Sequence, residues 1–173
     1  QLFDIVLNMN KEYSTKDIVI TGLGIAIVFV STLFIHVPNG LDGYYNLGDG
    51  FILLFASFLN PFLSFVIGGL GSALADVAGG YAYYFIFTLI IKGLEGFVIS
   101  YMIHKGSKKL RFLSYVIGII LMVIGYFFAK WYLKGSVLIA ISSIPGNIMQ
   151  GILSIVVAMA AYPIFKRILS VRN

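Results

Sequence analysis

Lys92 and Glu95 stand three residues apart inside one apolar run, YAYYFIFTLIIKGLEGFVISYMI. An ionisable side chain at the centre of a bilayer costs at least ~2.5–3.5 kcal/mol on insertion scales, unless a partner or a wet cavity offsets it. A separation of three brings both groups to one helix face. Two kinds of chemistry follow. The pair can neutralise itself as a structural ion pair, or it can offer a cation and a carboxylate to a polar ligand inside the membrane. A helix facing lipid all round would carry neither group.

Other polar residues repeat the helical spacing. Tyr84, Thr88, Lys92 and Glu95 step by four, four and three along one face. Ser143, Asn147, Gln150 and Ser154 form a second stripe, and Gly68, Ser72, Asp76 and Gly79 a third. Three such faces can converge on one polar pocket. Tyr84, Asp76 and Ser143 sit towards the outer ends of their segments, so the pocket is expected to open outward. The segment YYNLGDG brings Tyr44, Tyr45, Asn46 and Asp49 to the same mouth. It has the makings of a lid, with Gly40, Gly43 and Gly48 as pliant points. Each feature also has a plainer reading. Ser, Asn and Gln between spans contribute about 0.6 kcal/mol each as packing hydrogen bonds. Lys92 can pair with Glu95 or Asp76, the loop can be an ordinary external connection, and Asp49 can cap a helix N-terminus.

The elements that must hold these residues are six apolar segments. They run from about Ile18 to Ile35, Leu47 to Leu59, Phe62 to Val77, Tyr81 to Ile103, Phe112 to Tyr132, and Val137 to Leu169. The second and third are short for a ~30 Å hydrocarbon layer. Asn60-Pro61 breaks them apart, and Pro145-Gly146 bends the last. The chain is 60% hydrophobic and 11% charged, and its mean hydropathy is +0.98. A soluble domain of 173 residues needs a more polar skin than that. An all-α membrane protein of six transmembrane helices is therefore expected. Residues 9–173 read as a single domain, and QLFDIVLN before Met9 as a leader foreign to it.

Lys11, Lys16, Lys105, Lys108, Lys109, Arg111, Lys166, Arg167 and Arg172 would share one membrane face, against Lys130 and Lys134 on the other. That bias predicts cytoplasmic termini. Tyrosines and Trp131 in the outer loops also suit an interfacial aromatic belt. Cysteine is absent, which excludes thiolate metal sites and thiol nucleophiles. The chain has no GxxxxGK[ST] phosphate loop, no HExxH and no Ser-His-Asp signature. His36 and His104 fall near opposite faces. No enzyme activity, metal, cofactor or nucleic-acid partner is expected. Gly22 and Ala26, four apart in the first span, permit another helix to come close, either within the chain or from a partner.

The stretches GLGIAIVFVSTLFIHVP, YYNLGDGFILLFASFLNPFLSFVIGGLGSALADVAGGY and TLIIKGLEG resemble the substrate-binding S components of energy-coupling factor (ECF) vitamin transporters. The resemblance covers roughly residues 20–100, and the six-span plan extends it further. Asn60-Pro61 stands where many relatives have Gly-Pro. The resemblance implies a six-helix bundle with a vitamin site near the outer surface of a bacterial cell membrane. It implies a membrane coupling subunit and two cytoplasmic ATPases as partners, the loaded S component toppling in the bilayer under their ATP cycle. Gly22 and Ala26 match the family's small-xxx-small contact for the coupling subunit, with Gly in the first place. The hydroxymethylpyrimidine type is the nearest, and pyridoxine would satisfy the same groups. Tyrosine or tryptophan rings would stack on the ligand, and Asn147, Gln150 and Glu95 would hydrogen-bond it. Pantothenate stays open because Lys92 is the only base expected to face inward. Two other classes also remain: a stand-alone proton- or sodium-coupled transporter titrating Glu95 and Asp76, and a scaffold whose polar stripes are all packing.

Overall fold

The computed structural model describes residues 13–38, 44–106 and 110–170. Residues 1–12, Lys11 among them, Gly40, Gly43, Lys108, Lys109 and Arg172 lie outside the described residues, as do the side chains of His36 and Tyr44. Each apolar segment becomes helical, with boundaries set by local chemistry. α1 spans Thr15–Phe34. It starts earlier than hydropathy alone predicts because Ser14 and Asp17 form a capping box, the serine hydroxyl accepting from the Asp17 amide and the carboxylate accepting from the Ser14 amide. A short antiparallel ribbon follows, β1 (His36–Pro38) against β2 (Tyr44–Asn46). The sequence reading treated this stretch as loop. The ribbon fixes both stems of the connection.

α2 (Gly48–Ala56) has nine residues, about 13.5 Å at 1.5 Å per residue. It is too short to cross a ~30 Å core alone. Its residues are almost wholly buried, so protein rather than lipid surrounds it. α3 (Pro61–Ala78) begins at the break foreseen at Asn60-Pro61. Asn60 accepts from the Leu63 amide at 3.0 Å, and proline takes the first helical position, where no amide is needed. After a 3₁₀ turn at Ala82–Tyr84 come α4 (Phe85–Lys105) and α5 (Arg111–Lys134). α5 stops at Gly135, whose φ of 64° suits glycine. The last segment is split into α6 (Val137–Ser142) and α7 (Ile144–Ser170) by a turn just before Pro145. Among the described residues, five helical stretches are long and apolar enough to cross a membrane: α1, α3, α4 with its 3₁₀ turn, α5, and α6 with α7. The protein is an all-α membrane protein with α2 inserted among these spans.

Glycines let the spans meet backbone to backbone. A β-carbon on Gly68 would lie 2.5 Å from the Lys92 carbonyl oxygen, and one on Gly96 would lie 2.5 Å from that of Ser64. α3 and α4 therefore cross at a distance that larger residues forbid. This crossing aims Ser72 and Asp76 on α3 and Thr88 and Lys92 on α4 into the bundle. In contrast, Gly22 on α1 is exposed, and a β-carbon there would meet no atom of the described residues within 4 Å.

Gly96→Val is expected to lower stability by about 1–3 kcal/mol, since the displaced atom is backbone. Gly22→Val should stay within about 0.5 kcal/mol of the unaltered protein. Melting curves in detergent compare the two. Equal melting of all three proteins would sink the close-crossing account.

Candidate ligand-binding site

The site is built around one ammonium. Lys92 on α4 is 2% exposed, and its Nζ donates to Asp49 Oδ1 and, at 3.3 Å, to Glu95 Oε2. Asp49 comes from the first turn of α2, 43 residues earlier. Its other oxygen accepts from Gln150 Nε2 on α7 at 2.7 Å. Gln150 Oε1 in turn accepts from the Asn46 backbone amide at 3.1 Å, and Asn46 Oδ1 accepts from the Gly48 amide at 2.9 Å. The chain of bonds links α4, α2, α7 and β2. The Tyr126 ring on α5 approaches Lys92 Nζ at 5.3 Å, and the Tyr126 hydroxyl meets Thr88 Oγ1 at 3.0 Å. An ammonium has three donors and no acceptor. Two carboxylates orient it, and the aromatic face stabilises it further.

A cleft opens beside this cluster. Asn46, Asp76, Tyr84, Lys92, Asn147 and Gln150 line it, all six among the residues expected from sequence. So do Thr32, Ser72, Tyr81, Thr88, Tyr126, Lys130 and Ser143. Its interior is small, about 70 Å³ measured at water centres. Three tyrosine rings, two lysines and the Asp76 carboxylate give it an aromatic and charged character.

The three polar stripes do turn inward, Ser72, Asp76, Thr88, Lys92, Ser143, Gln150 and Ser154 all being buried. Some expected contacts fall elsewhere. Asp49 and Glu95 are buried but do not line the cleft, so they hold Lys92 from behind. Asp49 does not cap α2. Leu47 occupies that position, and the carboxylate is drawn to Lys92 because an ion pair in apolar surroundings outweighs a cap. Tyr45 packs on Gly146, where a β-carbon would lie 2.2 Å from its ring. It sits against the first turn of α7 rather than in the cleft lining. Gly79 is exposed and leaves its stripe. Lys92 is not the only inward base, because Lys130 is 4% exposed and lines the cleft. Sequence reasoning missed Lys130 by assigning it to an outer loop beside Trp131. Its place on the Tyr126 face of α5, four residues on, was the available signal. Tyr132, 79% exposed, suits the interfacial belt, whereas Tyr84 and Tyr126 belong to the cleft.

The family model described as the ECF-type riboflavin transporter, S component, matches residues 12–167. The chain belongs to that family. An S component from this family is a transporter subunit of the membrane, which accords with five apolar spans. An uncharacterized protein of Pyrococcus woesei is 40% identical over 111 residues, 62% of this chain and 74% of its own length. The thiamine precursor transporter HmpT of Lactococcus lactis subsp. cremoris is 32% identical over 104 residues. That match spans 59% of this chain and 57% of HmpT. A UPF0397 protein of Leuconostoc citreum is 34% identical over 68 residues, 39% of this chain and 36% of the relative. The last two matches thus cover about half of the relatives' length or less.

Lys92→Met is expected to destabilise the S component by about 3–5 kcal/mol, because two buried carboxylates lose their cation. The triple variant Asp49→Asn, Lys92→Met, Glu95→Gln removes every charge of the cluster and should regain most of that loss. If Lys92→Met melts like the unaltered protein, charge pairing does not hold the cluster.

Proposed function

We propose that this S component is the substrate-specific subunit of an ATP-driven ECF importer, and that it binds a small single-ring vitamin precursor, hydroxymethylpyrimidine or pyridoxine. The observation that carries the reading is the cleft lining: three tyrosines, two lysines, Asp76 and Asn147 facing one space. A flat heteroaromatic ring gains by stacking on tyrosine, about 0.5–1.5 kcal/mol per pair beyond the area it buries. The two lysines favour ring nitrogens and oxygens that accept hydrogen bonds, and Asn147 offers both a donor and an acceptor. Gln150 already uses both ends of its amide on Asp49 and Asn46. Its role is to hold the cleft wall. The likeness to the thiamine precursor transporter HmpT supports a precursor as the cargo.

Gly22 and Ala26 both lie on the exposed face of α1. Among the described residues both are left exposed, which supports a contact with the membrane coupling subunit, whose two ATPase partners supply the energy. Cytoplasmic termini follow from the charge bias in this reading. With Lys130 in the cleft, the outer side retains only Lys134 among its two assigned bases.

Purified protein in detergent, titrated calorimetrically with hydroxymethylpyrimidine, pyridoxine, pantothenate and riboflavin, tests the ligand. A single-ring compound should bind and riboflavin should not, and tight riboflavin binding would overturn the reading. Asn147→Ala should weaken the single-ring ligand at least tenfold, ~1.4 kcal/mol. Gly22→Leu should leave this binding intact and abolish uptake in cells that co-express the ATPase module. Uptake that persists without that module, and stops with a proton uncoupler, would replace the importer by a secondary transporter.

A further inference from the structure

Helical serine and threonine hydroxyls in this chain mostly satisfy themselves on a carbonyl one turn back. Thr21 donates to Asp17 O at 2.7 Å, Ser114 to Leu110 O at 2.9 Å, and Ser143 to Ala140 O at 2.7 Å. Two cleft hydroxyls break this habit. Thr32 Oγ1 and Ser72 Oγ are buried, at 2% and 3% residue exposure, and neither has a hydrogen-bond partner among the described residues. Ser154 Oγ shares the property but does not line the cleft.

The packing explains why Thr32 and Ser72 come to the same wall. Gly71 on α3 admits α1 so closely that a β-carbon there would lie 2.8 Å from Val28 Cβ. Thr32 is one turn beyond Val28 on α1, and Ser72 follows Gly71 on α3. Gly48 gives Thr32 its room, because a β-carbon at Gly48 would lie 2.0 Å from Thr32 Oγ1. A buried hydroxyl without a partner is unfavourable, and two in one cleft wall indicate polar atoms that a ligand brings.

We propose that Thr32 and Ser72 form the subsite for a hydroxyl-bearing substituent, the hydroxymethyl group of the single-ring ligand. The assignment rests on the function proposed above and divides the cleft chemically. Lys92 and Lys130 can only donate, so the ligand edge facing them carries acceptors such as ring nitrogens. Each wall hydroxyl can donate and accept, which matches a ligand O–H that does both. A methyl group at the same place would leave both protein hydroxyls unsatisfied. The pair would therefore select a hydroxymethyl ring over its deoxy counterpart.

A ligand-and-protein cycle tests this in full-length detergent-purified protein by calorimetry. The ligands are 4-amino-5-hydroxymethyl-2-methylpyrimidine and 4-amino-2,5-dimethylpyrimidine, and pyridoxine with 4-deoxypyridoxine. The proteins are unaltered, Thr32→Val, Ser72→Ala and Thr32→Ser. The unaltered protein should prefer a hydroxymethyl ligand to its deoxy analogue at least tenfold. Thr32→Val and Ser72→Ala should each cut that preference at least threefold by weakening the hydroxymethyl ligand alone, and Thr32→Ser should restore it. Equal weakening of both ligands, or no change, overturns the subsite while the single-ring reading stands. No binding of any of these compounds to the unaltered protein overturns that reading, and the subsite with it.

Discussion

A lysine ammonium buried among apolar helices must be met by anions, or the chain will not keep it there. Lys92 is met twice, by Asp49 from α2 and by Glu95 from its own helix. The rest of the cluster follows from how Asp49 divides its oxygens. One takes the ammonium and the other takes the Gln150 amide, whose far end holds the Asn46 backbone. A single carboxylate thus fixes the rotamer of a lysine, the position of α7 and the foot of the ribbon. Its geometry is exacting because Asp49 and Gln150 are each spent at both ends, and an idle buried polar atom is costly.

The ion cluster alone would not make a cleft. It needs walls that approach closely below and diverge above, and small residues provide this. Where Gly68 and Gly96 let α3 and α4 touch, hydrocarbon is excluded and backbone packs on backbone. Beyond the crossing, Ser72, Asp76, Thr88 and the tyrosines fill the interval with groups that water or a solute can engage. The break before Pro145 lets Ser143 and Asn147 face the same interval from the start of α7.

Much of this was legible in the linear chain, for identifiable reasons. Stripes of period 3.6 report which residues share a helix face whatever the tertiary fold, so Thr88, Lys92 and Glu95 could be grouped, as could Ser143, Asn147 and Gln150. Asn60-Pro61 is a stop signal of purely local origin. Pairings across the bundle were not legible. The partner of Lys92 could be narrowed to nearby acids, but Asp49 reaches it across 43 residues through a helix packing that periodicity does not encode. The ribbon was missed because its strands are three residues each, too short for alternation to register. Lys130 was misread because a lysine beside aromatic residues near a span end looks like an interfacial anchor. Only packing distinguishes that from a buried one.

The short α2 bears on how the polypeptide is made. At nine residues it cannot be threaded through a bilayer by its own length, and it carries Asp49. Its stabilising contacts include Gln150, 101 residues later in synthesis, and Val157, which fills the notch at Gly50. Until α7 has been translated and inserted, Asp49 lacks one of its two supports and α2 lacks one of its walls. The Asp49 cluster therefore closes only once α7 has joined the helices made before it.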